Sequence, residues 1–505
     1  MRPMITLIIL WISLLVLGFD STTAQTDKAP LGTNLAGIAS WNPAWQFVDV
    51  FKTARPWISQ CNGCGWGEGG ALDLSPEGWV LSFGANQYAE TVMLDGGVYP
   101  DGEFVLTYTG EGEISFSLGS ATIISQADGR IVFIPSGDSG IWLRLESVNP
   151  QNPLRDIRVY APTYENSTEV FHPQFLERLE GFTTLRFMDW MTTNNSPIVT
   201  WDDRPHLTDA QWHEFGVPVE ILVALANRLN TDAWFNMPHL ADNEYIRQFA
   251  TMVHANLNPN LRAYIEYSNE TWNSIFAQSY YVIDQGRALG LSDNDFQAGL
   301  FYHSHRAGEI FAIWEEVFGN TDRLVRVLAS QGANAWTGEQ VLTYDAMYTR
   351  ADALAIAPYF GGYLGDPATI DAVLAMGVDG VLDASLADIQ GDVRGWIADN
   401  VSLTTQYGVE LVAYEGGQHL SGVGRAMDDD RLTDLFIRAN RHPRMGDLYG
   451  EYLRQWGELG GGLFVNFSDI TEPSRFGSWG VLEYQTQPRA DAPKYDALMT
   501  YLGRQ

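Results

Sequence analysis

Hydrophobic and polar positions change period twice along the chain. From about 66 to 160, short runs alternate apolar and polar residues: 78–83, 91–94, 104–108, 114–118, 130–134 and 141–145. Turn formers such as Asp95-Gly96-Gly97 separate them. No long helical period intervenes, which is the spacing of an antiparallel β-sandwich. After Pro162 the chain alternates strand and helix. Apolar strands are expected at 183–190, 233–238, 261–270, 324–330, 353–359, 409–415 and 462–468. Helical periods lie at 175–179, 219–230, 243–255, 296–318, within 368–406, and across most of 429–459. With a further strand at 31–38, eight parallel strands are predicted, the number of a (β/α)8 TIM barrel. The sandwich, 61–160, is then an insertion between barrel strands one and two, leaving 25–60 and 161–505 for the barrel. The alternative is a plain N-terminal sandwich that includes 31–41.

Two of these strands end in a carboxylate. In Tyr264-Ile265-Glu266-Tyr267-Ser268-Asn269-Glu270, alternation puts Tyr264, Glu266, Ser268 and Glu270 on one face. In Val412-Ala413-Tyr414-Glu415-Gly416-Gly417 a short apolar run ends in Glu415 and then glycines. The carboxyl ends of barrel strands are where catalytic groups are exposed. Two such carboxylates are what glycosidic bond cleavage requires.

Composition narrows the partners. The chain has 62 acidic and 30 basic residues and a net charge of −32, which argues against nucleic acid and anionic membranes. Seventeen tryptophans provide flat apolar faces, some for the core and some for sugar rings. Arg2, an apolar stretch over 4–19 and the small residues Thr22-Thr23-Ala24 read as a secretory leader occupying the first 24 residues. A secreted protein, extracellular or periplasmic, is the expectation. In that setting Cys61-Asn62-Gly63-Cys64 is expected to form a local disulfide. No ligand set for a metal is apparent, since His303 and His305 lie on a helix without a carboxylate at zinc spacing, and no cofactor is implied.

Tyr267-Ser268-Asn269-Glu270 on strand four, Tyr414-Glu415 on strand seven and Leu185-Arg186-Phe187 on strand two together resemble the retaining glycoside hydrolases of clan A, the 4/7 barrel superfamily. The end of the chain, Phe464-Val465-Asn466-Phe467-Ser468 followed by Gly477-Ser478-Trp479-Gly480, is similar to the barrel end of several families in that clan. The stretch Tyr267–Asn273 also resembles bacterial proteins labelled "cellulose-binding protein". The resemblance implies that Glu270 is the general acid/base and Glu415 the nucleophile. It implies that Arg186 lowers the pKa of Glu415, that Asn269 bonds the sugar 2-hydroxyl, and that Tyr359 donates to Glu415. Glu270 is expected to be kept protonated by burial and by the Glu415 anion. Two departures stand out: Ala357 occupies a position where clan members often carry a histidine, and Phe467 stands where a tryptophan is usual. His239 or His419 is the candidate for the missing histidine.

Each assignment has a plainer counterpart. Glu270 is otherwise an acid at a helix start, Glu415 a solvated turn residue, Arg186 a neutraliser of Glu266, and Tyr359, His239 and His419 packing residues. Trp479, Trp336 and Trp190, each close after a strand end, are the candidate sugar platforms. The expected activity is double-displacement hydrolysis of a neutral β-linked polysaccharide of β-glucan or cellulose type, endo-acting. The sandwich is either a carbohydrate-binding module or a brace. The alternative is a non-catalytic carbohydrate-binding protein on a barrel scaffold. A polysaccharide lyase is disfavoured by the scarcity of basic residues near the strand ends.

Overall fold

The computed structural model describes residues 28–504; the expected leader lies outside them. The first strand, β1 (Leu31–Asn34), pairs in parallel with two strands that come far later in the chain. Between it and its next neighbour lies a run of antiparallel strands: β2 (Ile58–Cys61), β3 (Asp73–Leu74), β4 (Val80–Ser82), β5 (Gln87–Met93), β6 (Phe104–Thr109), β7 (Gly112–Phe116), β8 (Ala121–Ala127), β9 (Arg130–Pro135), β10 (Ile141–Val148) and β11 (Arg155–Tyr160). Then come β12 (Thr184–Arg186), β13 (Asp232–Met237), β14 (Ala263–Tyr267), β15 (Leu324–Ala329), β16 (Ala353–Ile356), β17 (Glu410–Ala413) and β18 (Phe464–Asn466). β1 and β12–β18 close an eight-stranded parallel barrel, with Leu31 of β1 opposite Phe464 of β18 and Thr33 opposite Leu185 of β12. Helices fill the connections, as the right-handed crossover of parallel strands requires.

The inserted strands form two four-stranded sheets, β2-β5-β10-β7 and β11-β6-β9-β8. Their inner faces share one apolar core of Met93, Leu106, Ile131, Leu143 and Val159, crossed by the Phe116–Phe133 ring pair at 4.4 Å. Cys61 and Cys64 are joined in a disulfide that closes the turn after β2. The insert begins at Ile58 rather than 61. Sequence periodicity missed β2, β3, β8 and β11. β8 is an edge strand exposed along almost its whole length, so it shows no clean alternation.

Alternation sorts the barrel residues. Ala263, Ile265 and Tyr267 of β14 join the layer between strands and helices. Tyr264 points inside, with Trp234 of β13 and Val412 of β17. The interior is filled by size complementarity. Trp234, Tyr264 and Tyr414 are bulky, and Ala329, Ala353 and Ala355 on β15 and β16 leave room for them. Trp234 and Tyr264 stack at 5.1 Å, 13° from parallel.

Several strands stop earlier than periodicity suggests, and three of them lead into the site. β12 ends at Arg186, β14 at Tyr267 and β17 at Ala413. Each of the three runs on into a tight turn, and all three turns meet at the same place.

Candidate active site

Arg186, the last residue of β12, is fully buried and organises the carboxyl end of the barrel. Its Nη1 donates to Glu415 Oε1 at 2.8 Å and to Asn34 Oδ1 at 3.1 Å. Its Nη2 donates to Glu266 Oε2 at 2.9 Å and Asn269 Oδ1 at 2.8 Å, and Nε donates to Glu266 at 3.1 Å. Pairing with Glu415 and pairing with Glu266 are therefore both realised by one guanidinium, whose planar fork suits two carboxylates at once. Glu266 Oε2 also accepts from Trp234 Nε1 and Asn236 Nδ2, each at 2.8 Å. Burial works against the Arg186 charge, but Glu266 and Glu415 hold its pKa above the ordinary arginine value.

Glu415 lies two residues beyond β17 and is 6% exposed. Besides Arg186 it accepts from the Tyr359 hydroxyl, at 3.1 Å on Oε2. Burial raises its carboxyl, Arg186 pulls it down and the charges of Glu270 and Asp189 raise it, leaving it at about 8. The expectation that Arg186 lowers this pKa holds for its direction of action, but burial outweighs it. Tyr359 stays a phenol, because burial and the two glutamates raise its pKa well above normal.

Glu270 reaches the site by a turn instead of by alternation. The ladder stops at Tyr267, and Ser268 (φ 59°) and Glu270 (φ 41°) take left-handed backbone, unusual for residues with a side chain. Asn236 Nδ2 braces that turn by donating to the Ser268 carbonyl at 2.8 Å. Glu270 Oε1 accepts from the Tyr414 hydroxyl at 2.9 Å, and Oε2 from Asn273 Nδ2 at 2.8 Å. Each glutamate is thus held by a phenol, and Glu270 is the more accessible of the two. Tyr414, whose alternation puts it inside the barrel, adds its ring to the Arg186 guanidinium at 5.0 Å. Its role was not assigned in the sequence; inward alternation next to Glu415 was the available clue. Asn34 and Asn236 were likewise missed, both being inward positions near strand ends.

The remaining candidates divide. Asn269 accepts from Arg186 and donates from Nδ2 to Asn194 Oδ1 at 3.1 Å, so it lies in the network. His419 packs edge-on to Tyr359 at 5.6 Å and to Trp479 at 5.0 Å. Burial lowers its pKa, while the Glu270 charge raises it. Trp479 is half-buried, 5.8 Å from the rings of both Tyr359 and Phe467, with Nε1 donating to the Phe476 carbonyl. Trp190 is not a sugar platform. The chain turns after Phe187, and Trp190 is fully buried against Phe175, Phe47 and Phe187, with Nε1 bonded to the Ala36 carbonyl. Trp336 stacks on Phe296 of the long helix Asp295–Phe318, and no contact joins it to the carboxylates. His239 is buried against Tyr281, and its carbonyl accepts from Tyr267, an outward-facing side chain, so it lies outside the network.

Beside the glutamates a cleft of about 660 Å³ opens, lined by Asp189, Asn194 and Trp479 among others. Burial raises the Asp189 carboxyl to about 6. Asp469 is raised to about 7 by burial, although it accepts from the Ala36 amide at 2.7 Å. Among the described residues Arg186 is the one cation paired with Glu266 and Glu415. Among the described residues no His, Cys, Asp and Glu group suits a metal ion, and no helix is long and apolar enough to cross a membrane.

No protein-family model matches the chain, and no curated protein matches it. Solved structures of glycoside hydrolases are similar to it. An endo-β-1,4-mannanase of Thermotoga petrophila is 12% identical, over 65% of this chain and 72% of its own, with a TM-score of 0.35. A broad-specificity endoglucanase from an uncultured bacterium is 13% identical, over 65% of this chain and 84% of its own, with a TM-score of 0.36. An endo-β-1,4-mannanase of Cellulomonas fimi is 10% identical with a TM-score of 0.32, and the match spans 56% of each chain.

Proposed function

We propose that this protein is an exported retaining glycoside hydrolase acting on a neutral β-linked polysaccharide, with Glu415 as nucleophile and Glu270 as general acid/base. The observation that carries this reading is the asymmetry between the two glutamates. Glu415 is buried, ion-paired to Arg186 at 2.8 Å and oriented by Tyr359. Glu270 is more open, with two neutral donors, Tyr414 and Asn273. A nucleophile must be fixed and ionised when it meets the anomeric carbon; a proton donor must face solvent and the leaving group.

In the first step a Glu415 carboxylate oxygen forms a bond to the anomeric carbon while the glycosidic C–O bond breaks. The Glu270 proton goes to the leaving oxygen. Water then attacks the glycosyl ester, giving up its proton to Glu270, and Glu415 departs as carboxylate. Asn269, held by Arg186 and Asn194, lies within the same network and is suited to bond the sugar 2-hydroxyl. Trp479 offers its ring face to the sugar, in the place the clan resemblance leads one to expect a platform.

The test is reducing-sugar release from soluble β-glucan, mannan and xylan by the wild type and Glu415→Ala. Release by the wild type, its loss in the variant and partial rescue by azide or formate are expected. Polymer binding without release, equal in both proteins, would replace this reading with a carbohydrate-binding protein on a barrel scaffold.

A further inference from the structure

The cleft beside the glutamates has a second aromatic wall. Trp41 lies on the loop directly after β1, lines the cleft, and is 58% exposed. Phe476, 57% exposed, lines the same cleft from the loop after β18. Two large exposed aromatic side chains lining one cleft are the kind of apolar surface that marks a ligand-binding groove. Trp41 is not loose. His213 meets its ring edge-on at 5.0 Å, 82° from parallel. Asn42, next in the chain, bonds the Gly37 carbonyl at 3.0 Å and the Ala44 amide at 2.9 Å.

The loop is also anchored from the inserted domain. Arg55 donates to Ser40 Oγ at 3.1 and 2.9 Å and pairs with Asp95, just beyond β5, at 2.6 Å. The Asp95 amide in turn donates to the Ser40 carbonyl at 2.6 Å. Ser40 thus receives bonds from Arg55 and from the insert on both its side chain and its backbone, one residue before Trp41. The ionisable side chains along the cleft are Asp189, Glu472 and His213, with no lysine or arginine among its lining. A uronate-bearing chain would meet like charge there; a neutral sugar would not.

We infer that Trp41 is the platform of a further subsite for a neutral polysaccharide chain, and that the inserted β-domain builds this subsite by fixing the Trp41 loop through Arg55 and Asp95. This rests on the glycoside hydrolase reading for its substrate class. It assigns the insert a part in the cleft, where a detached binding module would act at a distance. The chain would run from Trp479 beside the glutamates, past Asp189, to Trp41, with Phe476 on the opposite side. Stacking of a pyranose C–H face on a fixed indole removes apolar area from water and leaves the hydroxyls free.

The experiment compares wild type, Trp41→Ala, Trp41→Phe and Arg55→Gln on a soluble neutral β-glucan and on an aryl β-monoglycoside that stops short of Trp41. Trp41→Ala is expected to raise KM for the polymer about tenfold, the equivalent of about 1.4 kcal/mol, with the aryl glycoside's kcat/KM unchanged. Trp41→Phe should recover part of the loss, and Arg55→Gln should shift KM the same way by less. An unchanged polymer KM overturns the subsite, while the Glu415→Ala control still upholds the hydrolase. Equal losses on both substrates also overturn it, since they mark general damage. If wild type releases no sugar, affinity electrophoresis in the same β-glucan decides: retardation weakened by Trp41→Ala upholds the subsite without the hydrolase, and equal retardation removes both.

Discussion

The barrel interior has two unlike halves. On β1, β12, β13 and β14 the inward residues near the carboxyl end are Asn34, Arg186, Asn236 and Glu266, all buried and bonded to one another. On β15, β16, β17 and β18 the inward places hold Val327, Ala329, Ala355, Val412 and Val465. The difference teaches how one arginine can sit fully buried among carboxylates. The polar half supplies donors and acceptors in fixed directions. The apolar half supplies small side chains that admit the large polar ones, and it keeps water away, which strengthens every interaction in the network. The same exclusion of water raises Glu415, Asp189 and Asp469, to about 8, 6 and 7.

The largest break in this contrast should come from the polar half. Arg186→Met leaves Glu266 and Glu415 buried without their cation, and removal of one partner from a buried pair costs about 3–5 kcal/mol. Urea denaturation should show a midpoint lowered accordingly, with hydrolysis abolished. From the apolar half, Ala355→Leu forces an extra side chain against the bulky interior residues and should cost about 1–3 kcal/mol. A melting midpoint equal to wild type would mean that the alanines do not set the room for the network.

The smallest effect sharpens the comparison through pH. Glu415, Asp189 and Asp469 all bind protons more tightly folded than unfolded, so the folded state holds more protons between their unfolded values, about 4, and their raised ones. Their contribution to stability is full below about pH 4 and is lost as pH rises through about 6 to 8. With Glu415 as the group that must ionise, kcat/KM should rise as pH passes about 8. Asp189→Asn removes one of the negative charges that raise Glu415, so that rising limb should move to lower pH and stability should fall less steeply. A limb at the same pH in both proteins would show that Asp189 does not act on Glu415.

The two halves were not equally legible from sequence. Eight strands and most of the intervening helices could be read from period alone, because each strand's outward residues are apolar and helices such as Asn243–Asn256, Asp430–Arg441 and Arg444–Leu459 have one apolar face. Glu270 and Glu415 could be found because they close apolar runs. Their surroundings could not, because strict alternation fails where the ladders stop. Tyr414 and Glu415 are consecutive, yet both turn into the site, and Glu270 arrives through two left-handed residues. Trp190 shows the reverse case: proximity to a strand end suggested exposure, but the turn after Phe187 folds it into the aromatic core. The helices Ala277–Ala288 and Ala335–Thr343 escaped notice because neither carries a pronounced apolar stripe. Trp41 was passed over as part of the first strand's loop, since its surroundings come from three distant parts of the chain.

The placement of β1 also has a consequence in time. Its two partners, β12 and β18, are made much later than it is, and the Leu31–Phe464 pairing spans nearly the whole described chain. At a synthesis rate of about 5–20 residues per second, β1 waits roughly 20 to 90 s for β18 to emerge. The ladders of the inserted sheets, by contrast, pair only strands within 58–160. The chain is therefore expected to complete its inserted sheets before the barrel, and to close its ring as a last, slow event of high contact order.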